Sequence, residues 1–160
     1  MGLIEVFDHS NRRGALVPML KNIHALIGEN VSPMENMILW SHKMRKILLD
    51  INWRFLTAMS GNDIAGLLFY RYEGNNVYIE EMHVSLAHSK NPQVIEALLK
   101  KLEFDPGVKD ATFYANDRMK LEANKEILAG VGFRDELEGG WECLGDFSAT
   151  INTIKLRYTR

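Results

Sequence analysis

The feature that most constrains the fold is a change in hydrophobic period at Trp53. Before Trp53 the apolar residues recur at the spacing of amphipathic helices, and from there to Val84 they alternate with polar residues as in half-buried strands. Two short polar segments, 60–63 and 73–76, interrupt the alternation and have the composition of tight turns. The sequence therefore predicts an antiparallel meander of three strands, at 54–59, 64–72 and 77–84.

Two helices are predicted before the meander, after a first strand at 3–7. The first helix spans 16–27. The second begins with a capping box of Ser32 and Glu35, in which Pro33 takes the first helical position, and runs to about residue 50. Its spacing predicts one core-facing stripe, made of Met37, Ile38, Ser41, Met44 and Leu48. Four of the eight methionines lie in these two helices, which indicates either adaptable core filling or a plastic wall of a substrate pocket.

After the meander, a helix is predicted to begin at Asn91 as its cap, with Pro92 at the first helical position. A strand at 110–115 follows, and the helical crossover predicts that it lies parallel to the third meander strand. The remaining predicted elements are a helix at 120–131 and two closing strands at 133–137 and 153–158. Together these elements predict a single α/β domain over residues 1–160, with a mixed central β-sheet flanked by about four helices.

Composition and charge argue against several functional classes. The formal net charge of -2 does not favour nucleic-acid binding, and no apolar run reaches the roughly 18 residues of a membrane span. The single cysteine, Cys143, cannot form an internal disulfide, which favours a reducing compartment and a cytoplasmic location. The five histidines show no metal-ligand spacing with cysteine or carboxylate side chains, so we expect no metal site.

The third meander strand carries the candidate chemistry. Glu80 and Glu81 are adjacent, so their side chains point to opposite faces of a regular strand unless a bulge intervenes. A carboxylate at a strand edge can take the proton of an amine, and His83 is a third candidate base because histidine titrates near neutral pH. The alternative interpretation is structural: both carboxylates pair with lysine or arginine on neighbouring strands, and His83 is a hydrogen-bonded core residue.

Three segments, in this order of elements, resemble a known family. Residues 78–84 resemble its fourth strand, often written I-E-D-L-Y-V. Residues 96–102 resemble the S-A-L-L-x-x-L of its third helix, and residues 127–133 resemble the Y-E-K-L-G-F that ends its fourth helix. From about residue 3 to residue 158, the chain is similar to the GNAT superfamily of acetyl-CoA-dependent N-acetyltransferases.

The resemblance implies transfer of an acetyl group from acetyl-CoA to a primary amine, by direct attack in a ternary complex. Glu81 is the favoured base by its motif position, with Glu80 as its rival, and the acceptor would be a small-molecule or peptide amine. In the family, the fourth strand pairs with the pantetheine arm of the donor, and the following loop and helix meet its pyrophosphate. Carried over by position, the cofactor-binding residues are Met82, His83, Val84, Lys90, Asn91, Gln93, Val94 and Asn124.

Two parts of the chain, the acyl-carrier signature and the position of the acid, depart from the family's pattern. In the acyl-carrier signature R/Q-x-x-G-x-G/A, Gln93 and Ile95 replace the glycines, and Pro92 has no amide hydrogen to donate. Leu128 stands where many members have a tyrosine that protonates the leaving thiolate, which makes Tyr114 the substitute candidate for the acid. These departures support a rival hypothesis, a catalytically degenerate GNAT-like domain that acts as a binding or regulatory module.

A third hypothesis is an unrelated α/β domain with chance motifs. It predicts that the strands at 77–84 and 110–115 do not splay apart, whereas the GNAT resemblance predicts a V-shaped gap between them. A homodimer formed through the closing strands is a further expectation left open by the sequence.

Overall fold

One mixed seven-stranded sheet organises the computed structural model, which describes residues 3–9, 13–103, 112–116, 124–135 and 153–158. The order of the strands across the sheet is β1-β2-β3-β4-β5-β7-β6. Their bounds are β1 Ile4–Asp8, β2 Trp53–Ser60, β3 Asp63–Glu73, β4 Asn76–Val84, β5 Thr112–Asn116, β6 Phe133–Asp135 and β7 Thr153–Tyr158. The predicted meander is confirmed as β2–β4, each pair being antiparallel.

The pairing of β4 with β5 is parallel, as the helical crossover predicted, but it is short. It joins Asn76–Ile79 of β4 to 112–115 of β5. Beyond Ile79, β4 continues to Val84 on the β3 side, while no described residue of β5 pairs with it. The described part of β5 ends at Asn116, one residue after its last pair with β4.

The helical elements lie on both faces of this sheet. They are a 3-10 segment at Arg13–Met19, α1 Leu20–Gly28, α2 Pro33–Leu39, a π-helical turn at Trp40–Met44, α3 Arg45–Leu49, α4 Pro92–Glu103 and α5 Lys125–Val131. Gly132 ends α5 in the left-handed region at φ 118°, where a residue without a side chain meets no steric penalty. The parts of the predicted elements at 110–111, 120–123 and 136–137 lie outside the described residues.

Two hydrophobic cores sandwich the sheet. The first core joins α4 and α5 to one face, and includes Leu68, Tyr70, Ile79, Met82, Leu98 and Leu128. The second core joins α1, α2 and α3 to the opposite face, and includes Ile23, Leu39, Ile47, Phe55, Leu67 and Phe69. Side chains alternate between the two cores along β2 and β3, so the core that a residue enters identifies the face it occupies.

The predicted stripe of the second helix is wrong in its first half. Met44 is buried, but Met37 and Ile38 are 63% and 41% exposed, and the buried positions before Met44 are Asn36 and Leu39. The π-helical turn explains the change, because its wider turn adds one residue and shifts the stripe by one position on its N-terminal side. Met37 is therefore not core filling.

Helix α4 lies unusually close to the sheet at Gly66 of β3. A Cβ atom at Gly66 would lie 2.6 Å from Cγ1 of Val94, 3.0 Å from the backbone oxygen of His83 and 3.3 Å from Cδ1 of Leu98. Because none of these distances accommodates a methyl group without movement, glycine is what lets the first turns of α4 rest directly on β3.

Candidate active site

A β-bulge in β4 places both adjacent glutamates on one face. In the β3–β4 register Tyr70 pairs with Ile79 and Phe69 pairs with Glu81, so Glu80 is the extra residue. Ile79 and Met82 both enter the α4–α5 core although they are three residues apart. The two glutamates between them therefore lie toward the α1–α3 face, which a regular strand would not allow.

Glu80 is held by an arginine of the neighbouring strand. Nε of Arg71 donates to Oε1 of Glu80 at 2.6 Å, and Nη1 of the same guanidinium donates to Glu73. Burial acts to lower the pKa of Arg71, but the hydrogen bonds and negative charges of Glu73 and Glu80 outweigh it and raise that pKa above its usual value. The structure thus contains, for Glu80, the ion pair that the structural interpretation of the sequence predicted.

Glu81 and His83 form a buried acid–base pair. The Glu81 side chain is fully buried and that of His83 is 5% exposed, with Nε2 of His83 3.5 Å from Oε1 of Glu81. Within the described part of the chain, this Nε2 has no hydrogen-bond partner. A carboxylate enclosed in a core is costly unless polar groups compensate it, so this pair is a functional candidate rather than ordinary packing.

The backbone of β4 turns alternate residues away from β3. The amide of Ser85 donates to the oxygen of Ala65 at 2.9 Å, which fixes the alternation of hydrogen-bonded pairs between β3 and β4. By that alternation the backbone of His83 faces β3, whereas the backbone groups of Met82 and Val84 face away from it. Two of the three predicted pantetheine-pairing residues thus lie with their backbone groups on the edge of β4 opposite β3.

The oxygen of Val84 already receives a hydrogen bond from outside the sheet. Nδ2 of Asn30, in the turn after α1, donates to it at 3.0 Å. The carboxylate of the preceding residue, Glu29, accepts the amide hydrogen of Leu86 at 2.8 Å. Sequence reasoning missed both residues, because they lie more than 50 positions away from their partners and no local pattern marks them.

The start of α4 forms as predicted, but its first backbone amides already donate to Asn91. Oδ1 of Asn91 accepts the amide of Gln93 at 3.1 Å, and the backbone oxygen of Asn91 accepts the amide of Val94 at 3.3 Å. An open cleft of about 570 Å³ lies beside this helix start. Its lining residues are Ile4, Ser60, Ala87, His88, Lys90, Asn91, Pro92 and Gln93. The predicted residues Lys90, Asn91 and Gln93 are thus brought together at one cleft.

Tyr114 lies in β5 opposite Tyr78, on the same face of the sheet as the glutamates. Its ring stacks on that of Tyr78 with centroids 4.9 Å apart and planes 15° from parallel. The guanidinium of Arg71 covers the Tyr78 ring at 4.1 Å. Burial, followed by the charge of Glu73, raises the pKa of the Tyr78 hydroxyl above its ordinary value of 10.0. These contacts make a ladder across three strands, Arg71 of β3, Tyr78 of β4 and Tyr114 of β5.

Two other predicted positions lie apart from the bulge. Leu128 is completely buried in the α4–α5 core, as its apolar side chain requires. Asn124 precedes α5, where its backbone oxygen accepts the amide of Leu128 at 2.9 Å and its side chain does not cap the helix. Neither residue contributes to the Glu81–His83 pair.

No metal or membrane feature is found in the described ranges. No group of three or more His, Cys, Asp or Glu side chains among the described residues is placed to hold a metal ion. In the same part of the chain, no helix combines the length and apolar character needed to cross a bilayer.

Comparison with known proteins identifies the fold. No protein-family model and no curated protein sequence matches the chain. Among solved structures, a GNAT-family acetyltransferase from Bacillus cereus superposes with a TM-score of 0.65 at 14% identity, covering 99% of both chains. The PaiA N-acetyltransferase from Thermoplasma acidophilum, solved with coenzyme A, gives 0.65 at 13% identity, over 98% of this chain and 99% of that one. An aminoglycoside 6'-acetyltransferase of type Ii gives 0.64 at 15% identity, over 98% and 96%.

These likenesses show that the chain has the GNAT fold. The superpositions extend over nearly the whole length of each protein, so the shared feature is the complete order of elements and not one motif. The predicted fold class, an α/β fold with a mixed sheet between two layers of helices, is confirmed.

Proposed function

We propose that the protein is an N-acetyltransferase that transfers an acetyl group from acetyl-CoA to a primary amine. The observation that carries the proposal is the Glu81–His83 pair, buried at the bulge of β4. A buried carboxylate in this strand supplies a base, and the likeness to acetyltransferases of the same fold supports acetyl transfer as the chemistry.

In the proposed reaction, the amine attacks the thioester carbonyl directly within a ternary complex. The donor supplies an activated acyl carbon, whose bond to sulfur breaks as the bond to nitrogen forms. Glu81 takes the proton that the amine loses, and His83, with Nε2 at 3.5 Å from Oε1 of Glu81, is the polar side chain buried beside it. The sulfur leaves as a thiolate, which accepts a proton from the Tyr114 hydroxyl or from solvent, so the proton balance closes.

Glu80 is assigned a positioning role in this proposal. Its carboxylate is engaged by Arg71 at 2.6 Å, and this ion pair fixes the extra residue of the bulge. The Arg71–Tyr78–Tyr114 ladder then supports the face from which the acceptor amine approaches. A small-molecule or peptide amine is the proposed acceptor class; one structural neighbour is an aminoglycoside acetyltransferase, which is named for a small-molecule amine.

The experiment is a product assay with purified protein. Acetyl-CoA is incubated with a panel of amines that includes a polyamine, an aminoglycoside, an arylalkylamine and a peptide with a free N-terminus. Thiol release is followed, and the acetylated amine is identified by mass spectrometry. We expect at least one amide product that depends on the protein. The proposal is contradicted if no amine is acetylated and calorimetry detects no binding of coenzyme A at about 1 mM, which is the weakest dissociation constant we would accept for the donor.

A binding or regulatory module remains the second candidate function. It is favoured by two observations, the engagement of the Gln93 and Val94 amides by Asn91 and the burial of Leu128 at the position of the family's acid. The same assay separates the two candidates, because any acetylated product above the protein-free control excludes a purely non-catalytic module.

A further inference from the structure

The loop between β4 and α4 has almost no backbone donors left for an anion. Along residues 86–94, all of which the structure describes, six amides donate within the chain and Pro92 has none. The engaged amides belong to Leu86, His88, Ser89, Asn91, Gln93 and Val94. The amides of Ala87 and Lys90 are what remains, and two donors are a poor cradle for a diphosphate, which binds through a ring of N–H groups.

The carboxylate of Glu29 also lies against the start of this loop. Oε2 of Glu29 accepts the amide of Leu86 at 2.8 Å, at the point where the chain leaves β4. A carboxylate in this position takes the place of an external oxyanion and repels a second one nearby. The positive charge that could compensate is the exposed side chain of Lys90, one of the cleft-lining residues.

By contrast, the backbone groups of Met82 and the amide of Val84 lie on the edge of β4 that faces away from β3. Among the described residues, the parallel pairing of β4 with β5 ends at Ile79, and Nδ2 of Asn30 donates to the oxygen of Val84. This edge is where a pantetheine arm would pair. These contacts involve amide and thioester groups and no phosphate.

We infer that this protein recognises its acyl donor by the pantetheine thioester, and that the diphosphate and nucleotide contribute little to binding. The inference rests on the proposed acetyl transfer and narrows its donor to the acyl-pantetheine class. Acetyl-CoA and an acyl group on the pantetheine arm of a carrier protein share that chemistry, and both fall within the class.

The test compares donors that differ only beyond the pantetheine. Calorimetry gives the dissociation constants of coenzyme A and of pantetheine, and turnover with one active amine gives kcat/KM for acetyl-CoA and S-acetylpantetheine. We expect both ratios to lie within about tenfold. A preference for the coenzyme A form by about a hundredfold or more overturns the inference and leaves the proposed function standing. If neither compound binds and neither donor is used, the proposed function fails as well.

A charge variant tests the role of the Glu29 carboxylate. Glu29→Gln keeps an oxygen for the Leu86 amide but removes the charge. It should tighten coenzyme A binding by about threefold at low ionic strength and leave pantetheine binding unchanged. Asp50→Asn is the matched control, because Oδ1 of Asp50 also accepts a backbone amide at 2.8 Å, from Asn52 near the opposite end of β4. Equal effects of the two variants, or a weaker coenzyme A complex in Glu29→Gln, contradict the inference.

A third arm distinguishes the two sources of the pantetheine arm. An acetylated acyl carrier protein is offered as the donor beside acetyl-CoA and S-acetylpantetheine. Turnover with the carrier protein at a kcat/KM above that of S-acetylpantetheine identifies a carrier-borne arm as the preferred donor. A lower value identifies free acetyl-CoA as the source, and both outcomes retain the pantetheine class.

Discussion

Gly66 is the position at which a single methyl group should most clearly disturb the packing of α4 on the sheet. An alanine there would bring Cβ to 2.6 Å from Cγ1 of Val94 and 3.0 Å from the backbone oxygen of His83. Val94 is completely buried, and a backbone oxygen in the β-ladder cannot rotate away. Overpacking of a filled core costs about 1–3 kcal/mol, and we place Gly66→Ala in the upper half of that range, at about 2–3 kcal/mol.

The assay is urea unfolding followed by circular dichroism, with the free energy of unfolding extrapolated linearly to water. Gly130→Ala is the matched control, since a Cβ at Gly130 in α5 meets nothing within 4 Å. Alanine is the better helix former, so this control should gain roughly 0.5–1 kcal/mol. If Gly66→Ala is as stable as the wild type to within about 0.5 kcal/mol, the close approach of α4 to β3 is wrong.

Three further predictions concern stability. In a double-mutant cycle of Arg71→Met and Glu80→Gln, the free energy of unfolding should show a coupling of about 1 kcal/mol. Additive effects would show that the Arg71–Glu80 ion pair does not stabilise the fold. Burial lowers the pKa of His9 below its usual 6.5, although the charge of Asp8 opposes the shift. The unfolded chain therefore binds the proton more tightly than the folded protein, so the free energy of unfolding should fall as the pH drops below about 6.5. A His9→Gln variant should lose less stability between about pH 7.5 and 5.5 in thermal unfolding, and an equal loss refutes the assignment. Met37→Gln should change the free energy of unfolding by less than about 0.5 kcal/mol, whereas Met44→Ala should lower it by about 2–5 kcal/mol. Similar losses in the two variants would mean that Met37 is buried like Met44, as the sequence pattern predicted.

The elements with local signals were predictable from the sequence. Oγ of Ser32 accepts the amide of Glu35 at 3.2 Å, and Oδ1 of Asn91 accepts that of Gln93, so both helix starts form as their capping residues predicted. Capping depends on residues within one turn of each other, which is why the sequence alone locates it. The alternation that predicted β2–β4 is a local signal of the same kind.

The features that shape the site depend on distant residues. The bulge at Glu80 has no glycine or turn residue to mark it, and it exists because β3 and β4 keep their hydrophobic registers on both sides. The π-helical turn likewise leaves no sequence signature, and it moved the buried stripe from Met37 to Asn36. Contacts such as Asn30 with Val84 join residues 54 positions apart, and such pairings become visible when the fold is known.

The measurement that tests the central claim most directly is a comparison of kcat/KM for Glu81→Gln and Glu80→Gln, using the amine identified in the product assay. Both variants replace a carboxylate by an amide of nearly equal size in adjacent positions on the same face, and circular dichroism checks that both are folded. If Glu81 is the base, its variant should lose about 10²–10⁴-fold in kcat/KM, with Glu80→Gln losing less than about tenfold. Equal losses in the two variants, or a Glu81→Gln protein that keeps more than about a third of the wild-type value, would contradict the account.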